Sequence, residues 1–369
     1  MTSKTNGGGY EQSSQPSLLT SFPEDIVVDI LARVPRHDYP ALSLVSKQFR
    51  SLVTSHEIYS RRSLLRCTEN CIYVIIRSRK ASNDRLYILR RKADGSHCLV
   101  HISSLLDFPK GESFVTVGSM IYGFGGRDDN ETLTLLRAFS IDCRSHTVKP
   151  LPNMPIPMTN TVAAFLDGKV YVFGKCSMKS QSVVVFNIET QMWEPVVIKP
   201  DTTTPPPRMI WGEGWMRVMA NKIYMKYNGN MLVYVPKESK WETDDVLSSK
   251  YYDGSACVLD DVMYYYDSFE KCLNRYDPKE RRWGVVKGLD ELLAEMAHQY
   301  LTMSVPFGRN LVLFFIKEKE KCEATAKIWC AEISLGRHQG DEVWGKVEWC
   351  SQVVVAETMY FLRPIGVIV

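Results

Sequence analysis

A repeat of about 50 residues runs through most of this chain and constrains its fold more than any other feature. Short runs of β-branched and aromatic residues each follow a small or polar two-residue turn. The turns are Gly118-Ser119, Asp167-Gly168, Ala220-Asn221, Asp260-Asp261 and Arg309-Asn310. Each turn ends three residues before an apolar anchor, and Tyr73 supplies one further anchor upstream. The anchors, 49, 49, 53, 40 and 49 residues apart, are Tyr73, Tyr122, Tyr171, Tyr224, Tyr264 and Leu313. Because such units bury their apolar faces only against neighbours, the pattern predicts an array of six similar β-units.

A second pattern recurs inside the units, where an aromatic residue is followed by tryptophan seven positions later. The pairs are Phe186 and Trp193, Tyr234 and Trp241, and Tyr276 and Trp283. Ile141 and Val148 keep the offset without the tryptophan. A tryptophan at the start of each outer strand can pack into the seam between neighbouring sheets, so the pattern needs no cofactor to explain it.

The first unit lacks an obvious inner strand. Two segments at the other end of the chain can supply it, Val353-Val354-Val355 or Met359-Tyr360-Phe361. Closing the array in this way removes exposed sheet edges. The sequence therefore predicts a closed β-propeller.

These units resemble kelch repeats over roughly residues 70 to 360. The kelch double glycine is present as Gly125-Gly126, whereas later units show Gly174-Lys175, Lys226-Tyr227 and Tyr266-Asp267 at that place. The resemblance implies an all-β kelch-type propeller of six blades that covers residues 67–369.

Helical patterns precede the repeats. Ser21 and Glu24 fit a capping box, after which apolar residues recur every three to four positions until Pro35 stops the run. A second helix is predicted from Asp38, and the apolar residues on its one side are Leu42, Val45, Phe49 and Leu52. A third covers Ile58 to Leu65. Three short helices over residues 17–66 bury too little surface to be stable alone. Leu44 and Val53 also lie off the apolar stripe of the second helix. We therefore expect an interface here. Residues 1–16 are predicted to be a disordered tail.

The same segment resembles the F-box in the order and spacing of its motifs. They are Phe22-Pro23-Glu24-Asp25-Ile26, Ile30-Leu31-Ala32-Arg33-Val34-Pro35 and Leu44-Val45-Ser46-Lys47-Gln48-Phe49-Arg50-Ser51-Leu52. The resemblance implies binding to a Skp-family adaptor and, through it, to a cullin. The adaptor-binding positions that it implies are Pro23, Ile26, Ile30, Leu31, Pro35, Leu42, Val45, Ser46, Phe49 and Leu52. Phe49 stands where the family more often has tryptophan.

The composition of the chain argues against nucleic acid and membranes as partners. A net charge of +3 spread over 45 basic and 42 acidic side chains gives no nucleic-acid footprint. No apolar run reaches the roughly 20 residues that span a bilayer, and the first residues lack a signal-like apolar core. We expect no membrane partner and an intracellular location, in the cytoplasm, the nucleus or both. The ten cysteines form no Cys-x-x-Cys pair and are interpreted as buried thiols.

Enzymatic chemistry finds little support in the sequence. Some kelch propellers are copper oxidases, but the seven histidines are scattered, and the close pair His97 and His101 is expected to decorate one strand. No nucleophile elbow, phosphate loop or zinc-protease motif occurs. We therefore expect no cofactor, no metal and no catalytic residue. The basic residues between Arg77 and Lys92 are interpreted as a solvated hairpin, and Pro205-Pro206-Pro207 as a rigid interblade loop.

Together the two resemblances predict an α+β multidomain protein with a three-helix F-box followed by a kelch-type propeller, as in the F-box/kelch proteins that are abundant in plants. The implied function is substrate recognition in an SCF-type cullin ubiquitin ligase, without bond chemistry of its own. A propeller scaffold that has lost the cullin and a kelch-type copper oxidase are the alternatives.

Target recognition is expected on loops of one propeller face, within residues 127–131, 175–181, 199–215 and 267–271. Trp and Arg contribute much of the binding energy of interfaces, so the first candidates for target contact are Arg208, Trp211 and Trp215. For the two tryptophans, packing between blades is the alternative.

Overall fold

The computed structural model describes residues 22–78, 84–105, 107–109, 111–126, 136–176, 181–195, 215–227, 230–250, 255–296, 302–318, 325–338, 342–357 and 359–369. The chain divides into two compact units, with the boundary between Glu69 and Asn70. The first unit is helical and the second is built almost entirely of strands. Within the described residues, no helix has both the length and the apolar character to cross a membrane.

The N-terminal unit contains the predicted helices with one difference. Its helices are α1 (Glu24–Arg33), a 3-10 turn (Arg36–Asp38), α2 (Tyr39–Val45), α3 (Lys47–Thr54) and α4 (His56–Leu64). The single helix predicted after Asp38 is wrong, because Ser46 is extended at φ −156° and separates α2 from α3. The Ser46 hydroxyl accepts the Phe49 backbone N–H at 3.1 Å and so caps α3. Ser21, the predicted first cap, lies outside the described residues.

Because of this break, the predicted apolar stripe of the second helix does not form. Val45 is 65% exposed, whereas Phe49 and Leu52 are buried. Val53, expected to be surplus apolar surface, is also buried and belongs to the core of the unit.

Within the described residues, the second unit has 24 strands and two short helices, α5 (Asp245–Ser248) and α6 (Asp290–Met296). The first twelve strands are β1 (Asn70–Ser78), β2 (Arg85–Arg91), β3 (His97–His101), β4 (Glu112–Val117), β5 (Met120–Gly125), β6 (Ala138–Asp142), β7 (Thr147–Pro150), β8 (Thr159–Leu166), β9 (Lys169–Lys175), β10 (Gln181–Asn187), β11 (Met192–Trp193) and β12 (Met216–Met219). The other twelve are β13 (Lys222–Tyr227), β14 (Asn230–Val235), β15 (Lys240–Thr243), β16 (Cys257–Leu259), β17 (Val262–Asp267), β18 (Cys272–Asp277), β19 (Arg282–Lys287), β20 (Thr302–Phe307), β21 (Asn310–Glu318), β22 (Thr325–Arg337), β23 (Val343–Glu357) and β24 (Met359–Ile368).

These strands form six antiparallel four-stranded blades. Blade one has the order β24-β1-β2-β3, and the next three blades are β4 to β7, β8 to β11 and β12 to β15. Blades five (β16 to β19) and six (β20 to β23) are joined by a short parallel pairing of β19 with β23. The predicted kelch-type propeller with six blades is confirmed.

The chain closes the ring with its own C-terminal strand. β24 pairs antiparallel with β1 from Asn70 opposite Ile368 onwards, so the segment that begins at Met359 supplies the missing inner strand. The alternative segment, residues 353–355, belongs to β23 in blade six. Each innermost strand lies beside that of the next blade, and β20 lies beside β24. No sheet edge is left open at the point of closure.

The repeat has a simple structural origin. The anchors are buried and lie in the second strand of each blade, and three of the turns before them have positive φ at both residues, for example Ala220 (φ 47°) and Asn221 (φ 58°). Two successive residues with positive φ form the tight hairpin whose twist suits antiparallel strands. In blade six the turn is Gly308 and Arg309, one residue earlier than predicted.

The seven-residue offset is a cross-strand pair between the third and fourth strands of a blade. Phe186 lies opposite Trp193, as Tyr234 lies opposite Trp241 and Tyr276 opposite Trp283. Ile141 and Val148 are paired in the same way in blade two. The Trp193 ring lies 5.6 Å from that of Phe124 in the preceding blade. The predicted packing of tryptophan into the seams is confirmed.

Candidate interaction surfaces

Helix α1 has apolar residues on two faces. Val27 and Leu31 are each 3% exposed and pack inside the helical unit. Ile26 and Ile30, one turn apart on another face, are 41% and 42% exposed, and Phe22 before the helix is 48% exposed. A helix that only packs against its own domain needs one apolar stripe. The second stripe is therefore available to a partner.

The junction between α2 and α3 adds a second exposed apolar area. Leu44 is 79% exposed and Val45 is 65% exposed, directly before the extended residue Ser46. Leu44 is one of the two residues that the sequence singled out as surplus. Large aliphatic side chains at this exposure on so small a unit indicate a binding surface.

Buried polar contacts hold the helical unit together around Arg62. This side chain is 1% exposed, and its Nη1 donates to the carbonyl oxygens of Ala32 at 3.0 Å and Val34 at 2.8 Å. The same nitrogen donates to the Tyr39 hydroxyl at 3.1 Å, while Nη2 forms an ion pair with Glu69. Burial lowers the pKa of Arg62, but Tyr39 and Glu69 outweigh it, so the net shift of the pKa is upward. Arg62 thus binds the carbonyl groups at the end of α1 from within α4.

The structure separates the ten positions implied by the F-box resemblance into three groups by their exposure. Six are exposed, namely Pro23, Ile26, Ile30, Pro35, Val45 and Ser46. Leu42 is half-buried, and the three buried positions are Leu31, Phe49 and Leu52. The buried three can act on a partner only by shaping the unit. Phe22 and Leu44 were not among the ten, although their exposure matches that of the first group.

On the propeller, the described strands that flank the loops assigned to target recognition end on one face. In an antiparallel blade, the connections between second and third strands and those that lead to the next blade leave from the same face. Of these loops, the one between β17 and β18 lies wholly in the described residues. Its Asp267 carboxylate accepts the backbone N–H groups of Phe269 at 2.9 Å and Glu270 at 3.0 Å. This turn holds Phe269 82% exposed, a residue that the sequence analysis did not name.

Trp215, one of the three predicted target contacts, is 2% exposed. Its ring packs with Met219, Tyr224 and Met263 in the core between blades four and five. This burial favours the blade-packing alternative. Arg208 and Trp211 lie outside the described residues, as does the proline run 205–207.

The histidine pair and the basic stretch make contacts that serve the structure of the propeller. His97 and His101 both lie on β3, and the His97 ring stacks on Trp349 with centroids 3.7 Å apart. Burial, and then Arg91, lower the pKa of His97. Arg77 forms a two-pronged ion pair with Asp84 at the β1–β2 connection. Across the described part of the chain, no cluster of three or more His, Cys, Asp or Glu is arranged to hold a metal ion.

Comparison with known proteins agrees with both halves of the structure. The family model of the F-box domain matches residues 19–61, and that of the FKB95 Kelch-repeats domain matches residues 86–354. The chain is 41% identical to the Arabidopsis thaliana F-box/kelch-repeat protein At4g38940, over 96% of this chain and 95% of that protein. It is 37% identical to F-box/kelch-repeat protein At4g39240 of the same plant, with 92% and 88% covered. It is 34% identical to the putative F-box/kelch-repeat protein At3g10510, also from Arabidopsis thaliana, with 92% and 94% covered.

Proposed function

The chain belongs to the F-box/kelch-repeat proteins, and from this premise we propose that it is the substrate-recognition subunit of an SCF-type cullin ubiquitin ligase. In this role the helical unit binds a Skp-family adaptor, the adaptor binds a cullin, and the propeller binds the target protein. The chain itself makes and breaks no bond. Holding the target beside the ubiquitin-carrying enzyme raises their effective concentration.

The observation that carries the adaptor half is the second apolar face of α1. Its residues Ile26 and Ile30 are 41% and 42% exposed, whereas Val27 and Leu31 are buried in the core of the unit. Leu44 and Val45 extend the exposed apolar surface to the α2–α3 junction. We call these four residues, with Phe22, the apolar hook. Burying them against an adaptor contributes about 1.5–3 kcal/mol for each fully covered side chain.

Co-expression with a Skp-family adaptor and a cullin, followed by pull-down, tests this half. Ile30→Asp combined with Leu44→Asp places charges on the apolar hook and is expected to abolish adaptor binding. Leu64→Asp is the matched control, because Leu64 is a 75% exposed leucine of α4 outside the hook. Leu31 is unsuitable for this test, since its burial would mix loss of folding with loss of binding.

Three results of this experiment bear on the proposal. Binding by the intact chain and the Leu64 variant, but not by the double variant, supports it. If the intact chain fails to bind any Skp-family adaptor, the proposal is wrong. Adaptor binding without a cullin in the complex instead favours the scaffold alternative.

For the target half, we propose that the face carrying the loops 127–131, 175–181, 199–215 and 267–271 contacts the target. Phe269 supports this proposal, because a hydrogen-bonded turn holds this phenylalanine 82% exposed, where it can contact a partner. Arg208 and Trp211, which lie outside the described residues, remain candidates from the sequence.

Proximity labelling with and without a proteasome inhibitor tests the target half. Proteins that are labelled by the intact chain, and that accumulate with the inhibitor, are target candidates. Phe269→Ala should reduce their labelling but leave that of the adaptor unchanged. Equal labelling by the Phe269 variant and the intact chain would remove Phe269 from the target surface.

A further inference from the structure

The innermost strands of the propeller enclose a central cavity of about 320 Å³. Residues of β4, β8, β12, β16, β20 and β24 all contribute to its wall, so every blade takes part. The volume lies at the lower end of the roughly 300–1,000 Å³ that is usual for small-molecule sites. The cavity lies within the propeller unit and shares no lining residue with the apolar hook.

Two arginines supply the charge of this cavity. Arg217 lies on β12 and Arg363 on β24, and none of the described residues that line the wall is Asp or Glu. In the ring of six innermost strands, β12 and β24 are three places apart, so the arginines come from opposite sides of the channel. An anion placed between them meets positive charge on both sides.

Hydrogen bonds to backbone carbonyls fix the positions of both guanidinium groups. Arg217 donates through Nε to Ala256 O at 3.0 Å and through Nη1 to Met216 O at 2.9 Å. Arg363 Nη1 approaches Glu112 O at 3.4 Å. These carbonyls hold the two arginines in place. An anion therefore finds its donors already oriented.

The two positive charges act on each other inside the protein. Burial, and after it the charge of Arg217, lower the pKa of Arg363 to about 10, although the charge of Asp84 acts in the opposite direction. Burial also lowers the pKa of Arg217. Like charges in a medium of low dielectric constant repel strongly, and a bound anion relieves that repulsion.

We propose that the central channel binds a small organic oxyanion, with its carboxylate or phosphate between Arg217 and Arg363 and a compact apolar body against the remaining wall. Much of that wall is apolar and includes Phe114, Phe165 and Met303. An apolar pocket with a few fixed polar groups is the usual composition of a small-molecule site. The planar guanidinium group suits the two oxygens of such a head group.

Calorimetric titration and thermal melting of the full chain test this proposal at constant ionic strength in sodium chloride. The probes are phenyl phosphate, phenylacetate and the neutral analogue phenylacetamide. We expect at least one anionic probe to bind saturably, at least tenfold more tightly than phenylacetamide, and to raise the melting temperature. A tenfold ratio corresponds to about 1.4 kcal/mol.

Variants assign the binding to the channel. Arg217→Gln and Arg363→Gln should each lower the affinity for the anionic probe at least tenfold. Arg282→Gln, which removes the same charge from a 57% exposed side chain of β19, should leave its affinity unchanged. Arg217→Lys keeps the positive charge but loses the planar guanidinium group. It replaces Arg217→Gln in the binding measurement if the glutamine variant does not fold.

The proposal fails if no anionic probe binds better than phenylacetamide, a comparison that needs only the intact chain. It also fails if folded Arg217 and Arg363 variants bind the anion as tightly as the intact chain does. Neither result affects adaptor binding by the helical unit, so the two proposals stand or fall separately.

Discussion

Arg62 Nη1 donates a hydrogen bond to the carbonyl oxygen of Val34 at 2.8 Å and so joins α4 to the segment that follows α1. Removal of this buried guanidinium leaves two backbone carbonyls without this donor and breaks the ion pair with Glu69, which keeps its hydrogen bond from the Arg36 backbone N–H. We expect Arg62→Ala to destabilise the helical unit by about 3 kcal/mol. Amide hydrogen exchange of residues 24–64 in the full chain should then be about a hundredfold faster. Arg33→Ala, at a 56% exposed arginine of α1, is the control and should change little. Equal exchange in both variants contradicts the role of Arg62.

Ser46 tests whether a residue implied in adaptor binding acts through the fold. Its hydroxyl accepts the Phe49 N–H, so Ser46→Ala should cost about 1 kcal/mol and speed exchange at the start of α3. Ser46→Asp retains a capping oxygen and should preserve α3. If both variants exchange at the same rate, the hydroxyl is not a significant cap. If Ser46→Asp is well folded but fails to bind the adaptor, Ser46 is a direct contact.

The sequence predicted the propeller because each blade repeats the same local solution. The left-handed turn before Tyr171 and the pair of Phe186 with Trp193 are short-range features, and so they leave a regular period in the chain. The break at Ser46 left no such mark. Val45 and Phe49 keep a helical spacing across it, and only the hydrogen bond of the serine side chain reveals that the helix stops.

Burial and long-range contacts could not be predicted from the sequence for a different reason. Ile30 and Leu31 are similar in their apolar character, and only the packing of the other helices decides that the first is exposed and the second buried. Likewise, nothing near Arg217 in the chain points to Arg363. The two share a channel only because β24 returns to close the ring.

Glu112 predicts a pH dependence of propeller stability. Burial raises the pKa of its carboxyl to about 8, against an ordinary value of 4.5, although Arg137, with Nε 3.9 Å from Glu112 Oε1, acts to lower it. Between these two values the folded chain holds a proton that the unfolded chain has lost. Stability from this group is therefore complete below the unfolded pKa and is lost as the pH rises through about 8.

Glu112→Gln mimics the protonated side chain and should remove this dependence. In denaturant unfolding, we expect the Glu112→Gln variant to be about 2–4 kcal/mol more stable than the parent chain at pH 8. At pH 5 the two should differ little. Glu238→Gln, at an exposed glutamate of the β14–β15 turn, should follow the parent at both pH values. A stability gap that does not change with pH would contradict the raised pKa.

Tyr276 and Asp244 form a buried hydrogen bond that supports the seam between blades four and five. The Tyr276 hydroxyl donates to Asp244 Oδ2 at 2.6 Å, while Asp244 Oδ1 accepts the Leu247 N–H at 2.9 Å and caps α5. Burial, followed by the bond to Asp244, raises the pKa of Tyr276. Tyr276→Phe leaves a buried carboxylate without this donor, so we expect a loss of about 1.5–3 kcal/mol in denaturant unfolding.

Tyr234→Phe is the matched control for that measurement, because Tyr234 occupies the equivalent place opposite Trp241 in blade four. Within the described residues, no carboxylate accepts its hydroxyl. A smaller loss than for Tyr276→Phe is expected, and an equal loss would mean that the bond to Asp244 adds nothing specific.

Gly366 tests whether the closing strand limits the stability of the propeller. A Cβ atom at this position would lie 2.7 Å from the backbone oxygen of Pro306, so Gly366→Ala must push β24 away from β20. We expect a loss of about 1–3 kcal/mol in denaturant unfolding. Gly336→Ala is the control, because a Cβ there meets no atom within 4 Å and the residue is exposed on β22. Since both changes add one methyl group to a strand glycine, a difference between them measures the contact at the closure. If Gly366→Ala unfolds at the same denaturant concentration as Gly336→Ala, the seam between β20 and β24 tolerates displacement, and closure by the C-terminal strand does not depend on this close approach.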